Sequence, residues 1–196
     1  MQDLGTLGGT FGFAIWANIA VEVVGSADIQ GDQAIHGFLW KKIATTDLGT
    51  LSPFPNSDGE WINASEQIVG KVASSNFSVQ IAALWENGNP AVDLNTLIPP
   101  GSNLLLTEAR NINDRGEISG GAVDSDGNSR AFLLIPCDEK HAGIDGCDYS
   151  RVDAVAATTS SRPVAQNPTT ANPWVSGTAN PMMRFFGRRS MPCIAT

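Results

Sequence analysis

Asp3-Leu4-Gly5-Thr6-Leu7 returns as Asp47-Leu48-Gly49-Thr50-Leu51 and again as Asp93-Leu94-Asn95-Thr96-Leu97, at offsets of 44 and 46 residues. A second landmark keeps step with it. Ala17-Asn18, Ile62-Asn63 and Ile112-Asn113 each stand seven residues ahead of a glycine, namely Gly25, Gly70 and Gly120. The third landmark is apolar: Gly37-Phe38-Leu39-Trp40, Ala82-Ala83-Leu84-Trp85 and Ala131-Phe132-Leu133-Leu134. Three landmarks in one order, three times, define tandem units at about 3–46, 47–92 and 93–136, and periods of this size point to stacked supersecondary units.

Each unit reads as short strands. In the third, an extended run ends at Ile112-Asn113, turns through Asp114-Arg115-Gly116 and returns as Glu117-Ile118-Ser119-Gly120. Glycine takes the positive φ that closes a tight turn, and Asn or Asp supports it through side-chain hydrogen bonds. Val21 and Glu66 stand where Gly116 does, so the first two hairpins are expected to be less ideal. A third strand carries the Phe-Leu-Trp cluster and a fourth leads into Asp-Leu-Gly-Thr-Leu. No helical period with caps is sustained anywhere. Trp40, Trp85, Leu39, Leu84 and Leu133 are expected in the core, because one four-stranded unit is too thin to cover its own faces and neighbours must stack. The repeated glycines are expected at strand bends or close backbone approaches.

At these residues the chain resembles the HAF-type extracellular repeat family of bacteria. Its units read as Asp-Leu-Gly-Thr-Leu-Gly-Gly, then Ile-Asn with a following Gly-Gln-Val-Val-Gly, then His-Ala-Phe-Leu-Trp. Asp3 to Gly9 carries the first element, Gln67-Ile68-Val69-Gly70 the second, and His36-Gly37-Phe38-Leu39-Trp40 the third, with Gly37 in place of Ala. The resemblance covers about residues 3–136. It implies a secreted or surface-exposed, propeller-like repeat protein and brings no catalytic residue with it. His36 has no counterpart in the other two units, which argues against a repeated ligand site. Propellers use about 4–8 blades. Three units therefore make part of a larger propeller, a ring completed by further repeats or another chain, or the alternative three-fold fold, a β-trefoil.

Charge divides the chain. Residues 1–149 hold 7 basic and 19 acidic side chains, whereas 150–196 hold 5 and 1. An acidic body repels phosphate backbones, so nucleic-acid binding by the repeats is excluded as a leading function. No apolar run approaches the roughly 20 residues of a spanning helix. Met1 to Gly9 lacks the basic start and apolar stretch of a signal peptide, so the chain is expected to begin inside a folded unit, as a fragment or from a misplaced start.

Candidate chemistry is sparse. Asp124, Asp126 and Asn128 have the oxygen spacing that opens a calcium loop, but Ile135 falls where the bidentate Glu belongs; an Asp126-Gly127 hairpin turn explains the same residues. Cys137 and Cys147 lie close enough for a local disulfide, in a linker spanning 137–153. With His141 they offer three metal ligands at a spacing that fits no established zinc pattern. His141 sits among charged residues and reads as solvated. There is no Gly-x-Ser-x-Gly elbow, no glycine-rich loop opening a helix and no cofactor motif. Trp16 and Trp61, just ahead of the Asn landmark, are candidates for stacking on a sugar.

From 154 onward Pro, Thr, Asn and Ala dominate and large apolar residues are few, the composition of a disordered tail. Its end, Met182 to Arg189, mixes aromatic and basic groups suited to an anionic surface. The expectation is therefore an all-β protein of tandem four-stranded repeats with a disordered C-terminal tail. In function it is a non-enzymatic extracellular module for a protein or glycan partner. The alternatives are a lectin-like carbohydrate binder and a piece of a larger propeller enzyme.

Overall fold

The computed structural model describes residues 1–99, 101–144 and 192–194. The described chain is all-β, with two short 3-10 turns at Leu94–Thr96 and Glu139–His141. Its strands form three four-stranded antiparallel sheets. The first holds β1 (Gly8–Ala17), β2 (Val23–Ile29), β3 (Ile35–Lys41) and β4 (Ala44–Asp47) in sequence order. The second holds β5 (Asn56–Ile62), β6 (Gln67–Ala73), β7 (Gln80–Glu86) and β8 (Val92–Asp93), again as a meander. The third holds β9 (Leu104–Ile112), β10 (Ile118–Asp124) and β11 (Ser129–Pro136), with its fourth place taken by β12 (Pro192–Ile194). That strand falls within the stretch expected to be a disordered tail. The rest of 154–196 lies outside the described residues.

The leading strand of each following sheet packs on the sheet before it. β5 lies against β1, β2 and β3, and β9 lies against β5, β6 and β7. The result is two cores, one at each junction. Between the first and second sheets Val24 meets Ile62, Ile68, Val72, Ala83 and Trp85, with Leu39, Leu48 and Leu51 packed around them. Between the second and third, Val69, Ala82 and Leu84 meet Leu94, Leu97, Leu106, Ala109 and Ile112. Successive residues of a strand face opposite ways, so the middle sheet must be apolar on both sides. This accounts for the unbroken Ala82-Ala83-Leu84-Trp85, buried throughout.

The landmarks now have physical roles. The Asp that opens each Asp-Leu motif turns the chain: Asp3 Oδ1 accepts from Gly5 N at 2.9 Å, Asp47 Oδ1 from Gly49 N at 2.7 Å and Asp93 Oδ1 from Asn95 N at 2.8 Å. The turn aims the two following leucines into a junction, as Leu48 and Leu51 enter one core and Leu94 and Leu97 the other. The Asn landmark closes each first hairpin. Asn18 Oδ1 accepts from the amides of Ala20 and Glu22, Asn63 Oδ1 from Ser65 and Gln67, and Asn113 Oδ1 from Arg115 and Glu117. The turn position is left-handed in all three, with φ of 60° at Val21, 56° at Glu66 and 83° at Gly116.

A β-branched residue in that region is strained by about 1–2 kcal/mol, and Val21 is 65% exposed, so little packing offsets the strain. Val21→Gly is therefore expected to stabilise the fold by about 1 kcal/mol, a rise of roughly 3 °C in Tm on calorimetry. An unchanged or lowered Tm would show that Val21 is not strained.

Two core expectations are corrected. Leu133 is 42% exposed although its counterpart Leu84 is 3% exposed. Leu84 faces the third sheet, whereas Leu133 points from the third sheet's outer side. Trp40 is half-buried, while Trp85 is enclosed at 2% exposure because the middle sheet has neighbours on both sides.

Candidate functional site

The leading strands β1, β5 and β9 place equivalent side chains in register across the junctions. Gly25, Gly70 and Gly120 pair with Ala14, Gly59 and Ala109. A register shift beside each pair, at Ala14/Trp16, Gly59/Trp61 and Ser119/Gly120, marks a β-bulge. The bulge turns the leading strand so that a carbonyl (of Phe13, Asp58 or Glu108) lies directly over the glycine Cα. Bulges re-aim neighbouring side chains, and here the residue past the bulge projects toward its equivalent on the next sheet. Trp16 and Trp61 meet in this way, with ring centroids 3.5 Å apart and planes within 16°. Trp61 is half-buried and Trp16 is 39% exposed. The structure thus brings both tryptophan candidates together as a stacked pair, with Trp16 still open to solvent.

On the other side of the bulge the second junction gathers charge. Lys71 Nζ lies 3.6 Å from Asp58 Oδ2, 3.3 Å from Glu60 Oε1 and in a short contact with Glu108 Oε1, and Arg110 reaches Glu108 at 2.5 Å. Three carboxylates share one ammonium in a wall that excludes most water. Burial pushes the carboxyls of Asp58 and Glu60 above their ordinary range. At Glu108 burial acts the same way, but the hydrogen bond and charge of Lys71, helped by Arg110, prevail and hold it low. Burial opposes the charge on Lys71, yet the surrounding carboxylates raise its pKa. The cluster ties β5 and β6 to β9 across the junction.

Nothing in the sequence marks this set as a cluster among the 19 acids of residues 1–149. One part was legible, since the hairpin register makes Asp58 and Lys71 direct cross-strand partners. Glu108 comes from another sheet, and no local signal brings it there.

The remaining candidates fall elsewhere. Asp124, Asp126 and Asn128 share one tight turn, in which Asp124 Oδ1 accepts from the amides of Asp126 and Asn128 at 3.0 and 2.9 Å while Oδ2 lies 2.6 Å from Arg130. The Asn128 hydrogen bonds lower the Asp124 pKa. That carboxylate is spent on the hairpin and its arginine. Cys137 is disulfide-bonded, and Cys147 lies outside the described residues. His141 is corrected from solvated to buried: it is 3% exposed, with Nδ1 2.6 Å from Asp138 and Nε2 3.2 Å from Glu117. It anchors the segment after β11 to the third hairpin. His36 Nδ1 contacts both oxygens of Asp47 at 2.9 Å.

A groove beside the first junction is lined by Asp47, Glu66, Trp85 and Glu86. Its acids are already engaged by His36, Lys41 and Gln67 respectively. Among the described residues no cluster of His, Cys, Asp and Glu is arranged to hold a metal ion, and no helix is long and apolar enough to cross a membrane. No family model matches the chain, and neither does any curated protein or solved structure.

Proposed function

We propose that the chain is a non-enzymatic interaction protein acting outside the cell, a HAF-type array whose three sheets stack as consecutive propeller-type blades and meet a partner on surfaces the stack leaves open. The observation that carries this reading is the likeness of the two junctions. The same positions build both: the Asp-Leu turn with its paired leucines, the bulge over a glycine and the leading strand laid on the previous sheet. Blades are favoured over a β-trefoil because, among the described residues, the strands of each unit pair within one sheet and none is lent to a common barrel. The acids that converge are consumed as a structural tie on Lys71, which favours a scaffold over a catalyst. The Cys137 disulfide supports an oxidising compartment. Fractionation of the source cells with an antibody to the chain tests the address. The expected result is signal in the medium or surface fraction, with Cys137 unreactive to thiol reagents until reduced. Cytoplasmic signal with a reactive Cys137 would overturn it.

A second reading has its own observation. The Trp16–Trp61 stack with Trp16 exposed is a platform on which a sugar ring can lie. A glycan array probed with the chain tests it: a hit lost in Trp16→Ala supports the reading, and silence across the array disposes of it.

A further inference from the structure

Taking the sheets as stacked blades, the geometry points to a second copy of this chain as the partner, with β1 of one copy seated head-to-tail on the outer face of β9, β10 and β11 of the other. This deepens the proposed function by naming what covers the open ends.

The two end faces are exposed at the positions that the internal junctions bury. On the leading side, Phe11 is 53% exposed where its equivalent Leu106 is 0%, and Ala17 is exposed where Ile62 and Ile112 are each 1%. Phe13 beside them is 59% exposed. On the trailing side, Ser119 is exposed where Val24 and Val69 are each 0%, Ala131 where Ala82 is 0%, and Leu133 is 42% exposed where Leu84 is 3%. Isolated exposed apolar residues need no explanation, but a contiguous set marks an interaction surface. Here the set on each end is the half-interface that the other end lacks.

The details fit a copy of the same chain better than an unrelated partner. At the second junction Lys71 of the trailing face meets Glu108 of the leading strand. The equivalents at the open ends are Gly121 and Phe13, so this position brings no charge to either face, and an aromatic side chain would face a glycine. A Cβ placed at Gly121 would find only Thr107 Oγ1, at 3.9 Å, which leaves room for a ring. The Asn landmark gives the polar register. Asn18 Nδ2 donates to Asn63 O at 3.1 Å, and Asn63 Nδ2 donates to Asn113 O at 3.0 Å. Asn113 Nδ2 has the same reach beyond the third sheet, and Asn18 O, which accepts from Val21 N at 3.1 Å, keeps a second lone pair. Seating a copy adds the next rung of this ladder. The Leu4 and Leu7 pair, which follows the Asp3 turn, then enters the new junction as Leu48 and Leu51 enter the first.

A head-to-tail contact joins two different faces, so it propagates until it closes. Two copies bring six sheets, within the range of about 4–8 over which propellers close.

The test uses the full chain and two variants altered only at exposed positions, Phe13→Asp on the leading face and Leu133→Asp on the trailing face. In sedimentation, the wild type is expected at twice the 20.7 kDa chain mass. Each variant alone should weaken association by at least about 30-fold, the scale of an interface hot spot, with an unchanged far-UV spectrum. Mixing the two variants leaves one intact leading face and one intact trailing face, and so is expected to restore a one-to-one complex. A monomeric wild type overturns the proposal. So does association that survives both variants, or a mixture that stays monomeric. Because the extracellular address is read by fractionation, a monomer found in the medium would sink this inference and leave the proposed function standing.

Discussion

Lys71→Met is expected to destabilise the protein by about 3 kcal/mol at neutral pH, the scale of a buried ion cluster that loses one partner. The methionine retains the stem and most of the packing but leaves Asp58, Glu60 and Glu108 facing one another. All four side chains of the wild-type cluster are between 13% and 25% exposed, so water cannot screen the repulsion well. The pH dependence separates this cause from simple loss of packing. In the wild type, Asp58 and Glu60 have raised folded pKa values. Their contribution is therefore present below the unfolded value and lost as pH rises through the folded one. Glu108 is depressed and contributes in the opposite sense, present above its unfolded value and lost as pH falls through the folded one. The two slopes partly cancel. Without Lys71 the depression of Glu108 loses its main cause, and all three carboxyls gain from protonation. The variant should regain stability relative to wild type as pH falls from 7 toward 5, measured as midpoints of urea unfolding. A penalty that does not change over that range would assign the loss to packing alone.

Gly70→Ala is expected to cost about 3 kcal/mol or more, the upper range for forcing an atom into a packed site. The bulge sets Asp58 O over the glycine, and a Cβ at position 70 would overlap that oxygen outright. The obstacle is backbone carbonyl, which no side-chain rotation can clear. The same overlap stands at Gly25 with Phe13 O and at Gly120 with Glu108 O, so all three alanine variants should lose stability together. Gly121, one residue on, has only a contact at 3.9 Å; Gly121→Ala measured beside them should shift stability by no more than about 0.5 kcal/mol. Equal losses at 120 and 121 would mean that the carbonyl overlap is not what dictates glycine.

How far the fold was legible follows from which physics is local. The Asp-Leu turn, the Asn-centred hairpin and the alternation of apolar residues act over a few neighbouring residues. Each therefore leaves a spacing that can be read, and the hairpin from Asn111 to Gly120 forms where that spacing places it. The glycines were legible as close approaches for the same reason, since only a missing Cβ admits a carbonyl at that distance. Leu133 was misplaced because its sequence context matches that of Leu84. Burial at this position is decided by whether another sheet follows, which the strand itself does not encode. His141 was misread because charged neighbours in sequence look solvated until Glu117 arrives from the preceding hairpin to pair with it.

By itself, then, the sequence determined the unit: its strands, its turns, the position of its glycines and the face it must hide. Those rest on backbone sterics and short-range hydrogen bonds. The order of stacking, the arrival of Glu108 at Lys71, the pairing of Trp16 with Trp61 and the end faces exposed among the described residues were decided only by tertiary structure. The contacts that set them, Lys71 with Glu108, Trp16 with Trp61 and Asn63 with Asn113, join residues 37 to 50 positions apart, where contact depends on how whole sheets pack and not on any local pattern.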